Sequence, residues 1–211
     1  MAAARPRLVV ATRSVHKLRE LRQLLDLDAE LVSLDDLGVP GEPVEDATTF
    51  EGNAARKARW AARATGLPAL ADDSGLEVDE LGGRPGVRTR RYAGENATDE
   101  DNNVKLLSAL RDVPPTRRGA RYVCVLALAI PRDTGSRGGL PVRMRRGIAV
   151  GRIAAEPRGD AGFGYDPIFE PASERPGGRT LGQWSADEKN RISHRGRAAR
   201  AMAPVLRSLG F

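Results

Sequence analysis

The sequence predicts an α/β protein, on three observations. RLVVAT, Arg7 to Thr12, is a short apolar run that ends in a turn, as a buried strand does. SVHKLRELRQLLDL follows at once, with Leu18, Leu21 and Leu25 at helical spacing, and LVSL, Leu31 to Leu34, returns as a second strand. Strand, turn, helix and strand open an α/β unit. The longest apolar run, Tyr122 to Ile130, is a further strand and is preceded by a helical pattern from Thr98 to Arg111.

The other elements follow in order. The segment Asp35 to Asp46 holds Gly38, Pro40, Gly41 and Pro43 and reads as a loop whose end carries Glu45 and Asp46. Thr48 and Glu51 have the capping-box spacing, so a helix is expected to begin at Thr48. It runs through FEGNAARKARWAARAT and stops at Gly66, with Pro68 beyond. Asn53 and Lys57 are four apart and share a face of it. The next strand is expected to end near Asp72. In the helix from Thr98, Val104, Leu107 and Leu110 lie on one side. PRDTGSRGGLP, Pro131 to Pro141, reads as a hairpin connection to a β segment from Val142 to Ala154, interrupted by Gly147 and Gly151. PRGDAGFGYDPIFEP is glycine-rich with embedded aromatics. Ser185 and Glu188 repeat the capping-box pattern before one last amphipathic helix, which Pro204 is placed to kink.

Bulk properties narrow the class. Aromatic residues make up only 4% of the 211, so the core must rest on Leu, Val, Ile and Ala. The formal net charge of +6 favours anionic partners such as phosphates, nucleotides or nucleic acid. It is equally compatible with arginines that only solvate the surface. The single cysteine, Cys124, excludes a disulfide framework and suits a reducing cytoplasm. It sits in an apolar run, where a buried inert thiol is expected. No stretch approaches the roughly 20 apolar residues of a membrane span, and MAAARPRLVVAT lacks a signal peptide's apolar region. A cytoplasmic protein without a membrane partner is expected. No repeat or long linker divides the chain, so residues 1–211 read as one domain.

Four constellations can carry chemistry. ALADDSGLEVDELGGRPGV places Asp72 and Asp73 directly after an apolar run, and Glu45 ends an earlier loop. Such carboxylates suit Mg²⁺, which takes one or two of them together with substrate phosphates. Neighbours on a strand point to opposite faces, so both acids face one ion only if the strand has ended. Otherwise one binds metal while the other orients a loop. TRSVHK, Thr12 to Lys17, lies between a strand and a helix, where free N–H groups and the helix dipole bind phosphate, and Lys17 adds a positive charge. The glycines of a P-loop are absent. GFGYDP, Gly162 to Pro167, sets Phe163 and Tyr165 among small residues, able to stack on a base or to pack into the core. EKNRISHRG, Glu188 to Gly196, brings Lys189, His194 and Arg195 near a helix start, suited to an anion or a polar base edge. A lone histidine such as His194 is often structural, and His16 is expected to be exposed.

Taken in this order, ATRSVHKLREL, TTFEGNAARKA, ALADDSGLEVDELGGRPGV with RRYAG, PRGDAGFGYDPIF and EKNRISHRG resemble the inosine/xanthosine triphosphate pyrophosphatase family, across most of the chain from Leu8 to Ala198. The resemblance implies an elongated α/β protein with a long mixed central sheet flanked by helices, two lobes, and the substrate in a cleft between them. It implies a homodimer and Mg²⁺ as cofactor. Asp73 would be the general base and a metal ligand, with Glu45 the second ligand. Ser74, Lys57 and the turn of Thr12, Arg13, Ser14, Val15, His16 and Lys17 would hold the phosphates. Phe163, Gly164, Tyr165, Asp166, Lys189, His194 and Arg195 would hold the nucleoside. This chain departs from the family's pattern with Ser14 where asparagine is usual, with Thr89-Arg90 in place of Ser-Ala, and in TLGQW, Thr180 to Trp184, to which no role is given.

The implied reaction is Mg²⁺-dependent hydrolysis of ITP, dITP, XTP or dXTP to monophosphate and pyrophosphate, which clears deaminated purine nucleotides from the pool. Hypoxanthine and xanthine present a 6-oxo acceptor where adenine presents an amino donor. Arg195 can only donate, and a buried donor left facing an amino group is penalised. Two rivals are a pyrophosphatase for modified pyrimidine nucleotides and a nucleic-acid-binding protein. The second is weakened by the scarcity of aromatics interleaved with basic residues, so no stable nucleic-acid partner is expected.

Overall fold

A computed structural model describes residues 5–131 and 140–211. Six strands form one sheet in the order β2-β1-β3-β4-β5-β6. They are β1 (Arg7–Val10), β2 (Glu30–Ser33), β3 (Ala69–Val78), β4 (Gly119–Ala129), β5 (Val142–Ile153) and β6 (Phe169–Pro171). The sheet is mixed. β1 runs parallel to β2 and β3, pairing Val9 with Val32 and with Ala69, whereas β5 and β6 are antiparallel, pairing Ile153 with Phe169. Among the described residues the α-helices are α1 (Val15–Leu25), α2 (Phe50–Thr65), α3 (Asp99–Ala109), α4 (Ala186–Ile192) and α5 (His194–Arg207). The α/β class expected from the opening strand, helix and strand is the class observed. The expected hairpin connection lies largely in residues 132–139, outside the described residues.

The chain forms two compact units. The first comprises residues 1–73, 124–147 and 195–211, and the second residues 74–123 and 148–194. In the first unit, Leu8, Val10, Leu21, Leu25, Leu70, Leu126, Leu128 and Met202 form an aliphatic core. In the second, Leu76, Leu106, Leu110, Tyr122, Ile153, Tyr165, Ile168 and Phe169 form the other. The scarce aromatics are thus concentrated in the second core.

Several element boundaries differ from expectation for local reasons. The N-cap of α2 is Thr49, not Thr48; its extended backbone lets the hydroxyl accept from Gly52 N–H. α3 begins as expected after Thr98, which forms a capping box with Asp101. Its buried residues are Asn102, Asn103 and Leu106, with Leu110 buried at the C-cap, while Val104 is 62% exposed. The expected single C-terminal helix is two, because Ser193 takes an extended conformation between α4 and α5. β3 does not end at Asp72 but continues through Asp73 and Ser74 to Val78. That continuation fixes the two aspartates on opposite faces of the strand.

Candidate active site

In the first unit the turn between β1 and α1 is built as a helix entry. Ser14 is the N-cap, its hydroxyl 3.4 Å from Lys17 N, and its own N–H donates to Thr12 Oγ1 at 3.1 Å. Serine thus fills the capping role where the related pattern has asparagine. Val15 and His16 are exposed on the first turn, as expected for His16. Arg13 is engaged by the chain itself. Its guanidinium donates to the carbonyls of Val39 and Gly41, both at 2.8 Å, and pairs with Asp35 and Glu42. Arg13 therefore ties down the loop after β2.

The two aspartates of β3 have separate partners. Asp72, 1% exposed, receives Lys17 on Oδ1 and Arg195 Nε on Oδ2 at 3.0 Å. The thiol of Cys124 lies 3.1 Å from the same Oδ2. Burial alone would raise the Asp72 pKa, but Arg195 and Lys17 together hold it well below the ordinary carboxylate value. Asp73, also buried, accepts from Lys57 Nζ at 2.8 Å. Its burial raises its pKa, and the opposing effect of Lys57 and Lys17 does not reverse that. Burial works against the charge of Lys57, yet Asp73 and Glu45 raise its pKa above the ordinary lysine value. Two neighbouring carboxylates thus have affinities for the proton displaced in opposite directions.

Lys57 is held between two carboxylates. Its ammonium bridges Asp73 Oδ1 and Glu45 Oε1, the latter at 2.9 Å. That bridge tests whether a metal would fit. Two carboxylates from separate segments converge on one cation, and all the donors are hard oxygens, as Mg²⁺ requires. Among the described residues no group of three or more His, Cys, Asp or Glu side chains could hold a metal. The donor set therefore fits a cation completed by oxygens from elsewhere, such as a polyphosphate, and not a metal caged by protein alone.

Arg195 joins the Asp72 cluster. It is 1% exposed, with Nε on Asp72 and NH1 on Glu20 of α1. Both carboxylates and burial hold its guanidinium in place as part of the Asp72 cluster, where a base edge was expected to find it.

In the second unit the GFGYDP and EKNRISHRG segments do come together. Lys189 Nζ donates to Asp166 Oδ2 at 2.7 Å, and both residues are buried. The same oxygen accepts from Phe163 N–H at 2.9 Å, closing the loop on itself. Lys189 also lies over the Phe163 ring, 4.6 Å from its centroid. The His194 ring stacks on Tyr122 with centroids 4.6 Å apart and 7° between planes. Tyr165 is 3% exposed and donates from its hydroxyl to Thr89 O at 2.8 Å. Of the two readings open for the aromatics, Tyr165 takes the core one, whereas Phe163 is half-buried with Lys189 over its ring. Gly164 adopts φ +65°, a left-handed conformation that glycine takes without strain. Ser74, on β3, is half-buried beside Asp73 in sequence.

Residues 8–205 match the model of the Ham1 family. The chain belongs to the Ham1 family. It is 51% identical over 193 residues to the dITP/XTP pyrophosphatase of Geobacter sulfurreducens, covering 91% of this chain and 92% of that one. It is 50% identical over 192 residues to the protein of the same name from Syntrophobacter fumaroxidans, covering 90% of this chain and 78% of the relative. Among solved structures, a HAM1 protein from Coxiella burnetii superposes with a TM-score of 0.83 at 42% identity, over 96% of this chain and 99% of the other. The dITP/XTP pyrophosphatase of Mycobacterium abscessus gives 0.74 at 42% identity, over 94% and 99%.

Within this Ham1 chain, four participants went unread in the sequence. Glu20 lies in the middle of α1 and meets Arg195 across 175 positions. Tyr122 was legible only as part of an apolar run, although a hydroxyl-bearing ring in such a run needs a polar neighbour. Asp99 and Asn103 of α3 both reach Gly164, and only the concentration of polar residues near the helix start hinted at a binding role.

Proposed function

We propose that this Ham1-family chain hydrolyses deaminated purine nucleoside triphosphates, dITP, ITP and XTP, to the monophosphate and pyrophosphate. The observation that carries the mechanism is the separation of Asp72 and Asp73 on successive positions of β3. One is clamped by Lys17 and Arg195, and the other, its pKa raised by burial, is linked to Lys57 and through it to Glu45. Environments that push two carboxylates apart mark different roles. The names of the relatives supply the substrate class.

In this reading Asp73 takes the proton from a water that attacks the α-phosphorus. The new P–O bond forms as the bond to the bridging oxygen breaks, and its electron pair leaves with pyrophosphate. Lys17, the N–H groups of the Thr12 to Lys17 turn and Ser74 bind the phosphate oxygens, where negative charge grows. Lys57 releases its carboxylates and joins them. Asp72 keeps Lys17 in place and remains ionised. Glu45 and Asp73 would hold Mg²⁺, which when bound supplies charge neutralisation at the phosphates. Phe163 offers a face to the base, while Lys189, His194 and loop N–H groups supply the donors that a 6-oxo group requires and an amino group rejects. The enzyme is further proposed to work as a cytoplasmic homodimer.

A nucleotide panel with and without Mg²⁺, with product identification, tests this. ITP, dITP and XTP should be cleaved far faster than ATP, GTP and the pyrimidine triphosphates, yielding pyrophosphate only with the metal. Equal rates on all substrates, or release of orthophosphate, would overturn it. Asp73→Asn should lower kcat by about 10²–10⁴ with the fold intact, and near-normal turnover would remove Asp73 from the base role.

A further inference from the structure

We infer that Asp99 and Asn103 of α3 are positioning residues for base selection, acting through the peptide groups on either side of Gly164. The inference rests on the proposed reading of the GFGYDP loop as the purine site. Asp99 Oδ2 accepts from Gly164 N–H at 2.7 Å, and Asn103 Nδ2 donates to Gly164 O at 3.0 Å. The two residues are four apart on α3 and so lie on one face of the helix. A glycine at φ +65° belongs to no regular ladder, and its N–H and C=O must find partners elsewhere. Here one helix face supplies both.

The amide of Asn103 is held in one orientation, because a carbonyl can only accept and must face the NH₂ end. Its Oδ1 is thereby turned into the protein, buried and without a partner among the described residues. Buried unpaired acceptors are disfavoured and rare. A leucine of similar size would avoid that penalty but could not hold the Gly164 carbonyl. Keeping an amide at the cost of an orphaned oxygen points to a requirement for its donor.

The loop is held at further points besides the Lys189–Asp166 pair. Asp166 captures Phe163 N–H, and the Tyr165 hydroxyl reaches Thr89 O. Asp166 N–H also donates to Phe163 O at 3.3 Å, within the peptide that precedes Gly164, and Asp99 and Asn103 add the anchors on the Gly164 N–H and C=O themselves. Phe163 immediately precedes Gly164, so a rotation at Gly164 re-aims the aromatic face relative to the N–H groups that follow. The same helix holds the preceding loop: Asn102 donates to Arg90 O and accepts from Ala93 N–H, and Lys105 donates to Tyr92 O. Thr89 in turn accepts from Leu76 N–H on β3. α3 is therefore the part of the second unit to which both loops are referenced. Asp99 and Asn103 are the two contacts specific to the base loop.

The test compares ITP and ATP kinetics for Asp99→Ala, Asn103→Leu and Asp99→Asn. Asp99→Ala and Asn103→Leu should raise KM for ITP about tenfold, the loss expected for one hydrogen bond to a positioned group. They should leave kcat for ITP close to wild type, and the ITP preference over ATP should shrink in proportion. Asp99→Asn retains an acceptor and should restore most of the preference. Asp99 is exposed at the helix start, so its variants remain folded even where Asn103→Leu does not. An unchanged ITP KM and ITP:ATP ratio in folded Asp99→Ala would overturn the inference while leaving the proposed function standing. A wild-type enzyme with no ITP preference would overturn both.

Discussion

At the scale of single residues, Arg195 gives the clearest alternative outcomes. Its motif suggests a base contact, yet its guanidinium is buried between Asp72 and Glu20. Arg195→Ala removes a cationic partner from the buried Asp72, and loss of one partner of such a pair costs about 3–5 kcal/mol. The variant should melt at a lower temperature and lose kcat on ITP and ATP alike, with their ratio unchanged. A loss confined to ITP would return Arg195 to the base. The contrast shows what the sequence could carry. Asp72 and Asp73 were legible because adjacent acids after an apolar run are unusual. Their division of labour was not, since it depends on β3 continuing to Val78 and on partners 55 and 123 positions away in Lys17 and Arg195. Phe163 and Tyr165 looked equivalent in sequence, and only packing against the second core separates them.

At the scale of elements, caps can be dissected one hydroxyl at a time. Thr49, not Thr48, accepts from Gly52 N–H, so Thr49→Ala should destabilise the protein by about 1 kcal/mol. Thr48→Ala should be neutral in denaturant unfolding. The converse result would restore the expected cap. The sequence spacing pointed to the neighbour because Thr48 and Thr49 both precede a plausible first turn, and only backbone φ and ψ decide between them. The capping boxes of α3 and α4 make a related prediction with a definite sign. Hydrogen bonds from Thr98 lower the pKa of Asp101, and those from Ser185 lower that of Glu188. A lowered folded value means that the stabilisation is fully present above the unfolded pKa and lost as pH falls through the folded one. Carboxyl-carbon NMR titration should therefore place both groups below their ordinary midpoints of 3.8 and 4.5. Thr98→Ala and Ser185→Ala should return each towards it, and titration at the ordinary midpoint in the unaltered protein would remove the boxes in solution.

At the scale of the whole molecule, the question is what the net charge of +6 does. Many arginines are interleaved with acids: Arg7 with Glu30 and Arg22 with Asp36 in the first unit, Arg117 with Glu80 and Arg121 with Glu77 in the second. Exposed pairs of this kind contribute little stability, but they break up what would otherwise be continuous basic stripes. The remaining positive field acts on any anion approaching from solution, and a nucleoside triphosphate carries several negative charges. Steering of that kind enters the encounter and not the chemical step. Raising ionic strength from about 0.01 M, where the Debye length is about 30 Å, to about 0.15 M, where it is about 8 Å, should screen it. The kcat/KM for ITP should fall across that range while kcat holds. Binding of a single-stranded oligonucleotide should be weak at the higher salt, because interrupted charge cannot neutralise a run of phosphates. Tight oligonucleotide binding at about 0.15 M salt would instead assign the excess charge to nucleic acid. A kcat/KM flat across the range would show that the field does not reach the substrate at all.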